Sequence, residues 1–241
     1  MSETEEFKPY AILPGETISL DKYKNDKDVI KIGPGLLHEK QKVTAIKAGT
    51  LKNHNNQKWW IDSSQRRYVP SLNEHVIGKI IAKTQDYFRV DIGSAHSALL
   101  STLAFEGATK RNKPNLDIGA LVYARVSLAN KDMEPELECI SATTGKANGF
   151  GELKNGFFIK CSLGLCRSLL NPNTPILTAL GEHFAFETAV GMNGRVWINT
   201  ADVSNTILLA NAIKNSEFLS AKEIKQMVKE LVKQNEDDME L

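Results

Sequence analysis

"FETAVGMNGRVWIN", Phe186 to Asn199, contains a Gly-x-x-Gly at Gly191–Gly194. The pattern has two opposed meanings. Between two helices it forms a loop that clamps a nucleic-acid backbone. Between two strands, Asn193-Gly194 is a strong hairpin signal, because a type I′ turn needs positive φ at both central residues. The flanks decide between them. "FAFETAV" and "RVWIN" are rich in β-branched and aromatic residues, the composition of strands, and Met192 offers no charge to a phosphate. The stretch therefore reads as a hairpin. Gly191, at a strand end, permits close approach of another backbone, so the hairpin is expected to pack against the preceding barrel. Trp197 reads as a core aromatic. Gly191, Asn193, Gly194 and Trp197 are thus assigned a structural role.

Working outward, "GFFIKC" is a strand and "SLGLCRSLL" a helix with Ser162 as N-cap. "NPNTP" interrupts, and "ILTALGEHF" is a second helix with Pro175 in its first turn. After the hairpin come two helical runs, "ADVSNTILLANAIKN" and "SAKEIKQMVKELVKQ", the latter behind a Ser220–Glu223 capping box. The order β-α-α-β-β-α is that of a KH-type α+β domain. In such a domain the clamp joins the first two helices, and "NPNTP" in that slot has no glycine. Lys222, Lys225, Lys229 and Lys233 make one face of the last helix basic, which reads as a solvated face.

Further upstream, strands follow one another closely. "HVIGKIIAK" places Val76 and Ile80 on one face, Ile77 and Ile81 on the other. "TQDY" turns the chain, and "FRVDI", "SALLS", "LVYARVSLA" and "ELECISA" follow. Five strands with a long connection between the third and fourth match an OB-type barrel. Residues 10–66 look like a small all-β unit, with a loop at Asp21–Asp28 and a turn at Gly33–Gly35. In it "KVTAIKAG" and "QKWWIDS" flank "NHNN" as a hairpin. Its apolar positions are few, so it is expected to lean on a neighbour. The predicted class is multidomain, mainly β plus α+β. The predicted boundaries are an N-terminal β-domain at 1–66, an OB-fold domain at 67–146, a KH-type domain at 147–235 and an acidic tail at 236–241. Both chain ends, 1–9 and 235–241, are expected to be mobile.

Composition narrows the function. The chain has 241 residues and a net charge of +1, so any nucleic-acid claim must rest on local patches. No apolar run approaches the about 18 residues a membrane helix needs, and no membrane partner is expected. "MSETEEFKPY" lacks a secretory pattern, so an intracellular protein is expected. The three cysteines, Cys139, Cys161 and Cys166, form no Cys-x-x-Cys and read as buried thiols, and the five histidines are scattered. No metal or cofactor is expected. There is neither a phosphate-cradling Gly-x-x-x-x-Gly-Lys-[Ser/Thr] nor a Gly-x-Ser-x-Gly elbow. Asp86 and Asp91 are isolated and read as turn and surface residues, so no enzyme is expected.

"YVPSLNEHVIGKI", "IGALVYARV", "ECISATTGKANGFG" and "AVGMNGRVWIN" resemble the S1–KH cap subunits of the eukaryotic RNA exosome, in the ribosomal RNA-processing protein 40 / exosome component 3 family. "LPGE" and "KIGPGL" resemble that family's opening. The resemblance implies a noncatalytic subunit on a ring of RNase PH-like proteins, beside other cap subunits, in the nucleus and nucleolus and also the cytoplasm. It implies guidance of single-stranded RNA toward 3′–5′ exonuclease degradation and processing of ribosomal and other RNAs. In this family the Gly-x-Asn-Gly is structural. The alternative is a stand-alone S1/KH RNA-binding factor in translation or ribosome assembly.

Single-strand binding needs a basic track and stacking surfaces. The densest basic cluster is "TKRNKP", with Lys110, Arg111 and Lys113 in the long connection of the barrel. On the residues alone it is equally a solvated loop; the resemblance favours RNA. Arg66 and Arg67, beside Tyr68, form a second candidate stretch that is also readable as a linker. Tyr87, Phe88 and Arg89 form a third, and alternation lets only one of the two aromatics face out.

Overall fold

The computed structural model describes residues 9–19, 30–39, 42–55, 57–172 and 174–239, with side chains described to residue 233. The expected loop Asp21–Asp28 and residues 1–8 lie outside them. The chain divides into two units, 1–65 and 66–241.

The first unit contains β1 (Tyr10–Ile12), β2 (Thr17–Ile18), β3 (Lys31–Ile32), β4 (Leu36–Glu39), β5 (Lys42–Ala45), β6 (Gly49–His54) and β7 (Lys58–Asp62). They form two sheets, β1-β6-β7-β3 and β2-β5-β4. The expected hairpin is shifted. The strand paired with β7 is β6, which includes Asn53 and His54, whereas Lys42–Ala45 pairs with β4. Gly49 explains the shift: a Cβ there would sit 2.5 Å from the Asp62 carbonyl oxygen, so only glycine lets β6 start this close to β7. Gly35, at φ +89°, makes the turn between β3 and β4. Trp59, Leu51, Ile12 and Ile61 are buried at the centre of the unit's own core.

The second unit opens with β8 (His75–Lys83), β9 (Tyr87–Asp91), β10 (Ala98–Phe105), β11 (Leu121–Leu128), β12 (Glu136–Cys139) and β13 (Gly151–Leu153). The order β12-β10-β9-β8-β11-β13 is closed by a further β12–β11 pairing. The five expected strands are all present. The sixth corrects the boundary expected at residue 147, because Gly151 and Leu153 pair with Tyr123 and Leu121 on the barrel sheet. It is three residues long and begins at a glycine with φ +131°, so it carries no strand pattern to read. Val76, Ile80, Phe88, Val90 and Val122 fill the barrel core.

The remainder is β14 (Phe157–Lys160), α1 (Leu163–Leu169), α2 (Pro175–Gly181), β15 (Glu187–Gly191), β16 (Arg195–Asn199), α3 (Val203–Asn215), a 3-10 turn (Ser216–Phe218) and α4 (Ala221–Met239). The sheet order is β14-β16-β15, antiparallel throughout. The Ser162 hydroxyl accepts from the Leu165 N–H at 2.9 Å and caps α1. Ser220 and Glu223 form the reciprocal box that starts α4: the Ser220 N–H donates to Glu223 Oε2 at 2.7 Å, and the Glu223 N–H to Ser220 Oγ at 3.5 Å. The acidic tail expected from residue 236 is helical to Met239. No glycine or proline interrupts α4, so nothing local stops it. Residues 240 and 241 lie outside the described residues.

Candidate nucleic-acid interface

The Gly-x-Asn-Gly hairpin is the joint between the barrel and the last module. Gly191 pairs with Arg195, leaving Met192, Asn193 and Gly194 as a three-residue loop. The expected type I′ geometry is corrected: Gly194 has φ +75°, but Asn193 is not in the left-handed region. A three-residue hairpin places a single glycine there, which frees the Asn193 side chain for another task.

That task is set by a gap in the barrel. The pairing of β8 with β9 ends at Lys79↔Asp91, so Ile77, two residues before Lys79, has no partner on the β9 side. Asn193 fills the gap. Its Nδ2 donates to the carbonyls of Ile77 at 2.8 Å and Ile92 at 2.9 Å, and its Oδ1 accepts from the Ile77 N–H at 3.2 Å. The Met192 N–H donates to the His75 carbonyl at 2.8 Å. Arg195 completes the seam. Its guanidinium donates to the Asp91 carbonyl at 2.6 Å and to Asp91 Oδ2 at 2.7 Å, and stacks over Phe158 at 5.6 Å.

Burial follows from this docking. Ile77 and Ile81 share the outer barrel face, yet Ile77 is fully buried and Ile81 is 47% exposed. The hairpin covers the first and not the second. Gly191 is required by the approach, since a Cβ would lie 2.8 Å from the Ile77 nitrogen. Burial opposes ionisation of Asp91, but the Arg195 hydrogen bond, the Gly93 N–H and the charges of Arg195 and Lys160 outweigh it and hold its carboxyl below the usual range. Trp197 is buried as expected, its indole lying against Gly156.

The basic loop lies elsewhere on the barrel. Thr109 and Asn112 exchange backbone hydrogen bonds at 3.0 and 3.1 Å, so Lys110 and Arg111 form the two-residue tip of a tight turn. Both are exposed, and neither has a hydrogen bond or ion pair among the described residues. Lys113 differs. Its Nζ donates to the Gln85 carbonyl at 2.9 Å and to Asp86 Oδ1 at 3.0 Å, which ties the loop to the β8–β9 turn. Lys83 adds a second tie, to the Asn115 side chain, while its ammonium lies 5.9 Å from the centre of the Phe88 ring. Next to that turn, Tyr87 is 40% exposed and Phe88 is fully buried, the division that alternation requires.

The barrel therefore brings Lys110, Arg111 and Lys113 to the end that carries Lys83, Asn115 and Tyr87. Arg89 lies on the same strand as Tyr87 but is engaged by Ser97 Oγ at 3.4 Å and Glu134 at 3.5 Å. Arg66 and Arg67 are exposed at the start of the unit, and no hydrogen bond or ion pair among the described residues links them to this end. Tyr68 beside them is buried, and its hydroxyl donates to Glu74 at 2.5 Å. Burial first, then that bond, raises its pKa.

Lys83 and Asn115 were not legible as members of this cluster, nor Arg195 and Asp91 as a pair, because only the folded chain brings them together. Among the described residues no group of three or more His, Cys, Asp or Glu side chains is placed to hold a metal ion, and no helix is long and apolar enough to cross a membrane. Cys139 is a buried thiol whose pKa burial pushes up to about 12.

Comparison with known proteins gives these modules a family. Residues 30–67 match the Exosome complex exonuclease Rrp40 N-terminal domain, residues 68–151 the Exosome complex component RRP40 S1 domain, and residues 156–204 a KH domain. The chain is 49% identical to exosome complex component rrp40 of Schizosaccharomyces pombe, over 91% of this chain and 93% of that one. It is 41% identical to exosome complex component RRP40 of Homo sapiens, over 83% of this chain and 74% of that one. A crystal structure described as that of a candidate exosome complex RNA-binding protein superposes with a TM-score of 0.59 at 22% identity, covering 70% of this chain and 99% of its own, which is a likeness of fold. The N-terminal β-unit, the S1 barrel and the KH module seated on it by Asn193 are those of one family, and the chain belongs to the RRP40 exosome complex components.

Proposed function

We propose that this chain is a noncatalytic cap subunit of the RNA exosome that binds single-stranded RNA on its S1 barrel and passes it toward a 3′–5′ exonuclease held elsewhere in the complex. The observation that carries the reading is the Lys110-Arg111 tip. Two cations without partners among the described residues project from a turn that Lys113 fastens to the barrel, next to the strand that carries the exposed Tyr87. Cations on a braced loop can follow a phosphate backbone, and an exposed tyrosine offers a stacking face to any base. Phosphate contacts carry no sequence information, so recognition is of single strands in general. Lys113 acts mainly as the brace, with Lys83. Arg66, Arg67 and Arg89 are secondary contacts in this reading, and Arg89 must leave Glu134 to serve. The names borne by the relatives support assembly into the exosome.

The partners are then RNase PH-like ring subunits and the other cap subunits, and the chain works where the exosome works, in the nucleus and nucleolus and also in the cytoplasm. A tagged chain recovered from its own cells tests this. RNase PH-like proteins should co-purify in a particle far above the chain's own 26.7 kDa. A tagged chain that sediments alone, at its own mass, would overturn the assignment.

A further inference from the structure

Two of the three cysteines meet at the start of α1. Ser162 is the N-cap of that helix, so Cys161 stands just before the cap and Cys166 at the fourth helical position. Side chains at those two positions pack together across the first turn, the contact known as a hydrophobic staple. Here both members of the staple are thiols, and the Cys166 thiol donates a hydrogen bond to the Cys161 sulfur. The backbone holds the pair in place. The Cys161 N–H donates to the Gly194 carbonyl at 2.9 Å, and the Cys166 N–H to the Ser162 carbonyl at 3.2 Å.

Burial distinguishes the two sulfurs. Cys166 is fully buried in the core of the KH module. Cys161 is only partly buried, which corrects the expectation of three buried thiols. The hydrogen bond from Cys166 lowers the pKa of Cys161, and the Lys214 charge assists, against burial and the Glu217 charge. The same bond, and then burial, raise that of Cys166. Cys161 is thus the thiol that solvent reaches and that ionises first, with a second thiol already in contact. A reachable thiolate poised beside a resolving cysteine is the arrangement on which oxidants act. Cys139 is the contrast: it is buried on β12, and its thiol donates to the Tyr123 carbonyl at 3.6 Å.

We propose that Cys161 and Cys166 form a reversible oxidation site, which a peroxide closes into a disulfide. The Cys161 sulfur attacks one peroxide oxygen, the O–O bond breaks, and Cys161 becomes a sulfenic acid as the first water leaves. The Cys166 sulfur then attacks the Cys161 sulfur. The S–O bond breaks, and the departing hydroxide takes the Cys166 proton as the second water. Two thiols are oxidised and one peroxide is reduced. A dithiol reductant reverses the step by exchange, so in a reducing compartment the disulfide is transient. While closed, it fastens the chain leaving β14 to α1, at the residue whose N–H holds Gly194 of the hairpin.

The test treats the purified full chain with hydrogen peroxide and then alkylates the remaining thiols as the chain is denatured. Two of the three thiols should escape alkylation, and Cys139 should not. Trypsin cuts after Lys160 and Arg167, so residues 161–167 leave as one peptide holding both cysteines. That peptide should be lighter by two hydrogen atoms, and dithiothreitol should restore both thiols. Cys166→Ser should stop at the sulfenic acid, which dimedone labels on Cys161. Cys161→Ser should leave Cys166 unoxidised, because burial hides it. Amide exchange across α1 should slow in the oxidised parent chain. The proposal is overturned if all three thiols survive peroxide, or if Cys161 passes to the sulfinic acid with no disulfide formed. It is equally overturned by a disulfide that joins two chains or includes Cys139, or by faster exchange across α1 on oxidation.

Discussion

Asn193 holds Ile77 by both of its backbone groups, accepting from the Ile77 N–H at 3.2 Å and donating to the Ile77 carbonyl at 2.8 Å. A side-chain amide here does the work of a strand's peptide unit. It takes the place left on β8 where the pairing with β9 stops, and so the KH module completes the barrel as well as packing on it. Asn193→Asp keeps the shape but turns two donor contacts into a carboxylate facing the carbonyls of Ile77 and Ile92. The Ile92 carbonyl then loses its donor, while the Ile77 carbonyl keeps the Arg195 guanidinium at 3.2 Å, so the variant should lose about 2 kcal/mol of stability. Urea unfolding of the full chain measures it. A change below about 0.5 kcal/mol would show that Asn193 does not hold the seam.

Asp91 and Arg195 give the same seam a pH dependence. The folded-state pKa of Asp91 lies below that of an unperturbed aspartate. A depressed carboxylate contributes stability that is fully present above the unfolded pKa and lost as pH falls through the folded one. The unfolding midpoint should therefore decline more steeply below about pH 4 in the parent chain than in Asp91→Asn. Asp91 is partly exposed, so the difference should also shrink at high salt. Parallel acid limbs for the two proteins would remove the ion pair from the account.

Gly191 and Gly194 serve the seam differently. At Gly191 a Cβ collides with the Ile77 backbone; at Gly194 the strain is the backbone's own, at φ +75°, with the Cys161 carbonyl 2.8 Å from a Cβ. Gly191→Ala should push the hairpin off the barrel and speed amide exchange at Ile77. Gly194→Ala should cost about 1–3 kcal/mol by strain within the turn. Exchange at Ile77 that stays slow in Gly191→Ala would mean the barrel yields instead of the hairpin.

Much of this was legible in the sequence, and the remainder failed for identifiable reasons. A strand of eight residues such as Leu121–Leu128 alternates clearly, and the caps at Ser162 and Ser220 are local chemistry that neighbours in sequence determine. Gly151–Leu153 is too short to show a period, and its place on the barrel is set by pairing with β11. The hairpin at Gly191–Arg195 was readable from Asn193-Gly194, but its loop length was not, because the barrel's demand for the Asn193 amide fixes the backbone. At the basic end the three charges were visible while the separation of roles was not. Lys113 is drawn to Asp86, 27 residues away, and only folding distinguishes that brace from the free tip.

That separation makes the RNA reading quantitative. Each phosphate neutralised on a single strand adds about 0.7 to the slope of log K against log salt. Lys110 and Arg111 are free to make such contacts, so Lys110→Ala with Arg111→Ala should reduce the slope for a uridine oligomer by about 1.4. Lys113→Ala acts through the loop's position and should reduce the slope by less, while increasing exchange across 106–116. Tyr87→Ala should cost about 1–3 kcal/mol of affinity through lost stacking and leave the slope unchanged, which separates the aromatic contribution from the charged one. All three proteins should melt with the parent, because Lys110, Arg111 and Tyr87 are exposed and Lys113 supports a surface loop. An unchanged slope in the double variant would place the phosphate contacts on another surface of the chain.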